Sequence, residues 1–165
     1  MVTKKGIALT AAIMGGFTAA SFLVYFVPTQ PRSEVVAPTD PETELVFAVD
    51  RNQAIVDDFQ SAFQMWTNNE LSKDELDGRA EVAVDQVNAL MLELQRSNAP
   101  EEWVQSYVLY IQALDSYKAY FEKVREYVNM APDTDPTRGQ VLLDSMSELL
   151  TKAQSLTQQS EDAMP

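Results

Sequence analysis

The side chains available for chemistry in this chain are carboxylates, hydroxyls and amines, because its 165 residues include neither His nor Cys. That composition removes thiol nucleophiles, disulfides, haem ligation by His or thiolate, and zinc sites of the usual N/S type. Asp57-Asp58, Asp74-Glu75-Asp77 and Glu101-Glu102 are the acidic groups. Most fall near helix starts, where the helix dipole favours them, or on polar faces, so solvated surface accounts for them more simply than a substrate site. Asp133-x-Asp135-x-Thr137 with Gly139 and Asp144 echoes a calcium loop, but its Gly comes one place late and Pro136 interrupts it. A loop whose Asp135 caps the following helix explains the same residues. Ser116 and Lys118 are close in sequence yet point to different faces of a helix, without the strand-turn-helix elbow that activates a serine. Di-iron sites in helical bundles need Glu-x-x-His pairs, which this chain lacks, and its seven Met are dispersed. No catalytic residue, cofactor or metal ligand is assigned.

Aromatic residues are the other conspicuous group: Trp103, Tyr107, Tyr110, Tyr117, Tyr120, Phe121 and Tyr127 lie within one segment. Trp103, Tyr107, Tyr110, Tyr117 and Phe121 follow a helical packing seam and need no role beyond it. Tyr120 and Tyr127 flank that seam one heptad apart, where they are either the edge of a core or an exposed strip for protein contacts.

The elements that carry these residues announce themselves by their starts. Asp40-Pro41-Glu42 offers a cap, a proline at the first helical position and first-turn acid, and Asp135-Pro136 repeats the device. Ser72-Lys73-Asp74-Glu75 is a capping box flanked by Leu71 and Leu76 as a hydrophobic staple. Ala99-Pro100-Glu101-Glu102 marks a fourth start with a poor capping residue.

Apolar residues alternate by four and three in every segment. The first runs Leu45, Ala48, Asn52, Ile55, Phe59, Ala62, Trp66; the second Leu76, Ala80, Ala83, Val87, Leu90, Leu94. The third continues from Trp103 through Leu114 to Val124 and Val128, and the fourth reads Leu142, Met146, Leu149, Ala153, Leu156. Such a repeat is the seam of left-handed helix packing. Val49, Val56, Phe63, Val84, Met91, Val104, Ile111, Leu143 and Leu150 widen the stripes as a globular bundle requires. Asn52 in the first seam either fixes register or meets water near a bundle end, and Gly78 weakens the second helix by about 1 kcal/mol relative to Ala. The connections at 68–71, 97–99 and 131–135 are short, which makes successive helices antiparallel neighbours. The expected fold is all-α: an N-terminal transmembrane helix, a Pro-rich linker and an antiparallel up-down-up-down four-helix bundle. Its boundaries are 1–27 for the anchor, 28–40 for the linker, 41–160 for the bundle and 161–165 for a polar tail.

The anchor rests on charge distribution. After Lys4 and Lys5 no charged residue occurs until Arg32, and the uncharged run 6–27 would span about 33 Å as a helix, matching a bilayer core of about 30 Å. A cleaved secretory signal ending near Thr18-Ala19-Ala20, with the mature chain starting at Ser21, competes with this. The apolar run continuing through Phe22 to Val27 favours retention. Ala8, Ala12, Gly16 and Ala20 recur every four residues, a spacing that permits close packing of membrane helices and self-association, though small residues are common in such helices anyway. Pro28, Pro31, Pro38 and Pro41 make 28–41 an extended spacer. Two lysines before the span, against 10 basic and 25 acidic side chains after it, place the N-terminus in the cytoplasm and the bundle outside.

Lys4-Lys5-Gly6-Ile7-Ala8 resembles the processing site of archaeal type IV pilin-like and archaellin precursors, which implies a mature chain beginning at Ile7. The opening from Met1 to Pro28 is also similar to the N-termini of small membrane-anchored proteins of ammonia-oxidising archaea, a resemblance that implies no activity. A net charge of −13 opposes nucleic acid and anionic lipid as partners of the soluble part. The expected partners are the bilayer, through the N-terminal helix, and a membrane or envelope protein. The expected role is protein–protein interaction as an accessory subunit or scaffold, not enzymatic. Two alternatives stand beside it: a sensor-type bundle with a ligand pocket lined by Tyr107, Tyr110 and Tyr117, and a pilin-like filament component.

Overall fold

A computed structural model describes residues 40–130 and 136–165. The expected anchor, its Ala8, Ala12, Gly16 and Ala20 row, the linker before residue 40, and Asp133 and Asp135 of the calcium-loop echo lie outside the described residues. Among the described residues all regular structure is helical, in four long helices: α1 (Pro41–Thr67), α2 (Lys73–Arg96), α3 (Val104–Asn129) and α4 (Pro136–Asp162), with a 3₁₀ turn at Glu101–Trp103. No helix among the described residues is long and apolar enough to cross a membrane.

Local chemistry accounts for the ends. The Asp40 carboxylate accepts from the Thr43 N–H at 2.9 Å, satisfying an N-terminal donor of α1. At the other end Asn69 takes a left-handed backbone (φ 62), while the N–H groups of Asn69 and Glu70 donate to the carbonyls of Trp66 and Met65 at 3.0 and 2.8 Å. This is a Schellman closure with Asn where Gly is commonest. Ser72 and Glu75 form the reciprocal capping box that starts α2. The weakly capped third start shows its weakness directly: no side chain caps the 3₁₀ turn, and the α-helical hydrogen bonding begins only at Val104.

Contacts between helices fix their directions. Arg51 pairs with Glu93 and Asp58 with Arg79, so α1 and α2 are antiparallel. Arg125 near the end of α3 reaches Asp77 and Glu81 near the start of α2. Ser160 on α4 donates to the Ser106 carbonyl on α3 at 2.8 Å, and Gly139 faces Tyr127 and Met130. Each successive pair therefore runs antiparallel, while α1 and α3 run parallel. Aromatic side chains bridge those two, with Phe59 edge-on to Tyr120 and Phe121 at centroid separations of 6.1 and 4.9 Å.

The core follows the expected stripes with a small rotation. Leu45, Phe59, Leu76, Leu90, Leu114 and Phe121 are essentially inaccessible, each stabilising the fold by about 1.5–3 kcal/mol relative to exposure. Ile55, Trp66, Leu149 and Leu156, expected in the seam, are only half-buried, whereas Val56 and Leu150, next to two of them, are buried. A straight helix turns about 20° per heptad away from a strict 3.5-residue repeat, which carries the inward direction onto the adjacent residue. Val104, expected to widen the third stripe, is 48% exposed. The polar tail also differs from expectation. Helix α4 continues to Asp162 because Ser160 is fully buried and bonded to α3.

Helices α3 and α4 approach most closely, and the reason is visible at seven-residue intervals. Ser106 lies against Ser160, and Tyr127 against Gly139. The same antiparallel register sets Ala113 opposite Ala153 and Tyr120 opposite Met146, all four of them buried. Small side chains at facing positions let two backbones close up. A methyl at Gly139 would already meet Met130 Cε at 3.3 Å.

Candidate functional site

The tyrosines of α3 are positioned by their hydroxyls as well as their rings. Tyr107 donates to the Pro41 carbonyl and sits 3.1 Å from a Glu44 oxygen that also accepts from Ser97 at 2.7 Å. Burial and the Glu44 carboxylate raise its pKa to about 12. Tyr110, fully buried, donates to the Ala48 carbonyl at 3.2 Å. Burial also raises the pKa values of Tyr110, Tyr117 and Tyr120. The hydroxyls of Tyr107 and Tyr110 are thus occupied in fastening α3 to α1.

Tyr120 is 5% exposed and packed on Phe59, so it offers no surface to a partner. Its register opposite Met146 places it in the close α3–α4 seam, which heptad counting on α3 alone does not reveal. Tyr127 is half-buried, edge-on to Trp66 at 6.3 Å. Two buried polar atoms, Asn52 Oδ1 and Ser106 Oγ, have no partner within the described residues. Leaving such a group unpaired costs about 1–3 kcal/mol.

Several of the acidic residues have structural partners. Asp77 receives both Nε and Nη2 of Arg125 at 3.0 and 3.2 Å and the Asn129 amide at 2.7 Å. The Arg125 guanidinium holds its carboxyl below the usual range despite some burial. Asp57 accepts from Gln53, and Ser116 donates to the Gln112 carbonyl. Among the described residues no group of three or more carboxylates is placed to hold a metal ion.

The concave feature that sequence reasoning missed is a groove of about 430 Å³ between α1 and α2, beside the turn that joins them. Ile55 from α1, Leu71 from the turn and Val82 from α2 supply its apolar surface, over the buried Phe59. Asp58, Glu75 and Arg79 stand at its rim, and Gly78 lies in its wall. Asp58 and Arg79 meet at 3.5 Å with side chains 74% and 45% exposed, a contact worth at most about 1 kcal/mol. Glu75 keeps a lowered pKa because the Ser72 hydroxyl and N–H both bond to it, so its carboxylate remains charged. Two sequence signals mark the groove in retrospect. Val82 falls outside the α2 seam and is 55% exposed, and Gly78 interrupts an otherwise good helix. No family model, curated protein or solved structure matches this chain.

Proposed function

We propose that the protein is a single-pass, membrane-anchored domain facing away from the cytoplasm, which acts by holding other proteins as an accessory subunit or scaffold of a membrane or envelope assembly. In this reading 1–27 is the retained anchor, the Pro-rich segment spaces the domain from the bilayer, and α1 to α4 form an up-down-up-down bundle. The observation that carries it is the α1–α2 groove, an open apolar surface with a charged rim on a domain whose Tyr107 and Tyr110 hydroxyls are engaged internally. Grooves of this kind suit a segment of another protein better than a small molecule, which prefers an enclosed site. The uncharged run 6–27 and the charge asymmetry around it support the membrane placement.

Native mass spectrometry of the protein extracted from its own membranes in mild detergent tests this reading, since one spectrum reports both the mature mass and whatever travels with the chain. A chain that retains 6–27 and carries other membrane proteins is the expected result. A chain starting at Ser21, alone and released without detergent, overturns it.

A further inference from the structure

We infer that the α1–α2 groove is the docking site for a cationic amphipathic helix of a partner protein, seated with its backbone against Gly78. The inference rests on the accessory role proposed above and specifies the chemistry of the partner.

Gly78 is the first observation. Glycine inside a helix is destabilising relative to alanine, and a fold usually retains it for a positive φ or a crowded neighbour. Gly78 has neither: no glycine among the described residues has positive φ, and nothing lies within 4 Å of the position its Cβ would take. The missing side chain therefore serves no contact within the described fold. It leaves bare backbone in the wall of a groove, where a second backbone can come close.

The apolar surface is the second. Val82 is 55% exposed, Ile55 is half-buried beside it, and Phe59 lies beneath, held from behind by Tyr120 and Phe121. An amphipathic helix presents apolar anchors at i, i+3 or i+4 and i+7 to such a surface.

Charge decides the partner's sign. Of the charged residues that line the groove, Asp58 and Glu75 are acidic and Arg79 alone is basic. Asp58 and Glu75 project at the rim, and Arg79, the base beside them, is held by Asp58. Lys and Arg flanking the apolar face of an incoming helix meet these carboxylates within the roughly 8 Å over which charges act at physiological salt. A second copy of this acidic hairpin, or an anionic lipid surface, meets repulsion.

The test uses the full-length chain in nanodiscs of uncharged phosphatidylcholine, with Val82 replaced by a photo-crosslinking benzoylphenylalanine. Two helical peptides of roughly 18 residues are compared, both with Leu at i, i+3, i+4 and i+7, one filled with Lys and the other with Glu. The same crosslinker at Val141 on α4, 59% exposed, is the control. Adduct formation at position 82 with the Lys peptide, at half-saturation about tenfold lower than for the Glu peptide and rising with salt, is expected. Gly78→Ala is expected to raise the thermal midpoint of the chain while weakening the Lys adduct about tenfold, a pair of opposite signs that a merely structural glycine does not produce. Equal labelling by both peptides, no adduct, labelling as strong at Val141, or a chain–chain adduct that excludes the peptide each overturns the inference. A partner retained in native mass spectrometry but never crosslinked from position 82 in the native membrane overturns the groove and leaves the accessory role standing. Selective Lys labelling with no protein partner in the native spectrum does the reverse.

Discussion

The two halves of the helical domain solve the same packing problem differently. Helices α3 and α4 close on small residues, Ser106, Ala113, Gly139, Ala153 and Ser160, and pack most tightly of the successive pairs. Helices α1 and α2 stand farther apart, joined at their outer edge by the exposed pairs Arg51–Glu93 and Asp58–Arg79 and separated by a groove. Charge divides the same way, since α1 is almost wholly acidic and α3 is balanced. A tightly closed, less charged seam contributes stability and offers little to a partner. A wider, acidic one gives up some packing and keeps a surface available. On the proposed reading, stability and recognition fall to different hairpins rather than to all four helices.

Removing Phe59, which alone among α1 aromatics touches both Tyr120 and Phe121, attacks the joint between the halves. Phe59→Ala should cost about 3–5 kcal/mol in denaturant unfolding, the largest loss of any change considered. Ala153→Leu breaks the close seam by overfilling it, with an expected loss of about 1–3 kcal/mol, whereas Ala83→Leu, equally buried but beside the space between α1 and α2, should cost less than about 1 kcal/mol. If the two substitutions cost the same, the distinction between the hairpins fails. Ser160→Ala should cost about 1 kcal/mol by removing the bond to the Ser106 carbonyl. Gly78→Ala should move the other way, stabilising α2 by about 0.5–1 kcal/mol.

The last prediction has no effect at neutral pH. Tyr107 ionises at about 12 in the folded chain against an ordinary 10, so its stabilising contribution is whole below pH 10 and lost as pH climbs from 10 to 12. Tyr110, Tyr117 and Tyr120 act in the same direction. Tyrosinate absorbance should rise together with loss of helicity above pH 10, and the Tyr107→Phe chain should show a shallower onset.

Much of this arrangement was legible in the amino-acid order, because the decisive signals were local. Asp40, Ser72 with Glu75, and Pro136 mark helix starts by hydrogen-bonding rules that act over three or four residues. Heptad spacing located most of the core, from Leu45 to Val128. What escaped depends on distance between helices. Leu150 rather than Leu149 faces inward because a straight helix drifts from the heptad, and Tyr120 is buried because Phe59 of α1 packs edge-on against it. Helix α4 runs to Asp162, past the expected bundle end at 160, a reach that the bond from Ser160 to α3 explains and the polar local sequence does not. The groove is the extreme case. It consists of space left between two helices, and only the unforced Gly78 and the misplaced Val82 hinted at it.

The bond from Ser160 to Ser106 also sets an order of events in biosynthesis. Ser160 lies 54 residues after Ser106, so a chain emerging N-terminus first exposes the whole aromatic face of α3 before the residue that closes α4 over it has been delivered. The α1–α2 hairpin, built from near neighbours, can assemble on the nascent chain and lend Phe59 and Phe63 as a provisional cover. The α3–α4 seam closes last, once Ser160 has emerged to meet the Ser106 carbonyl.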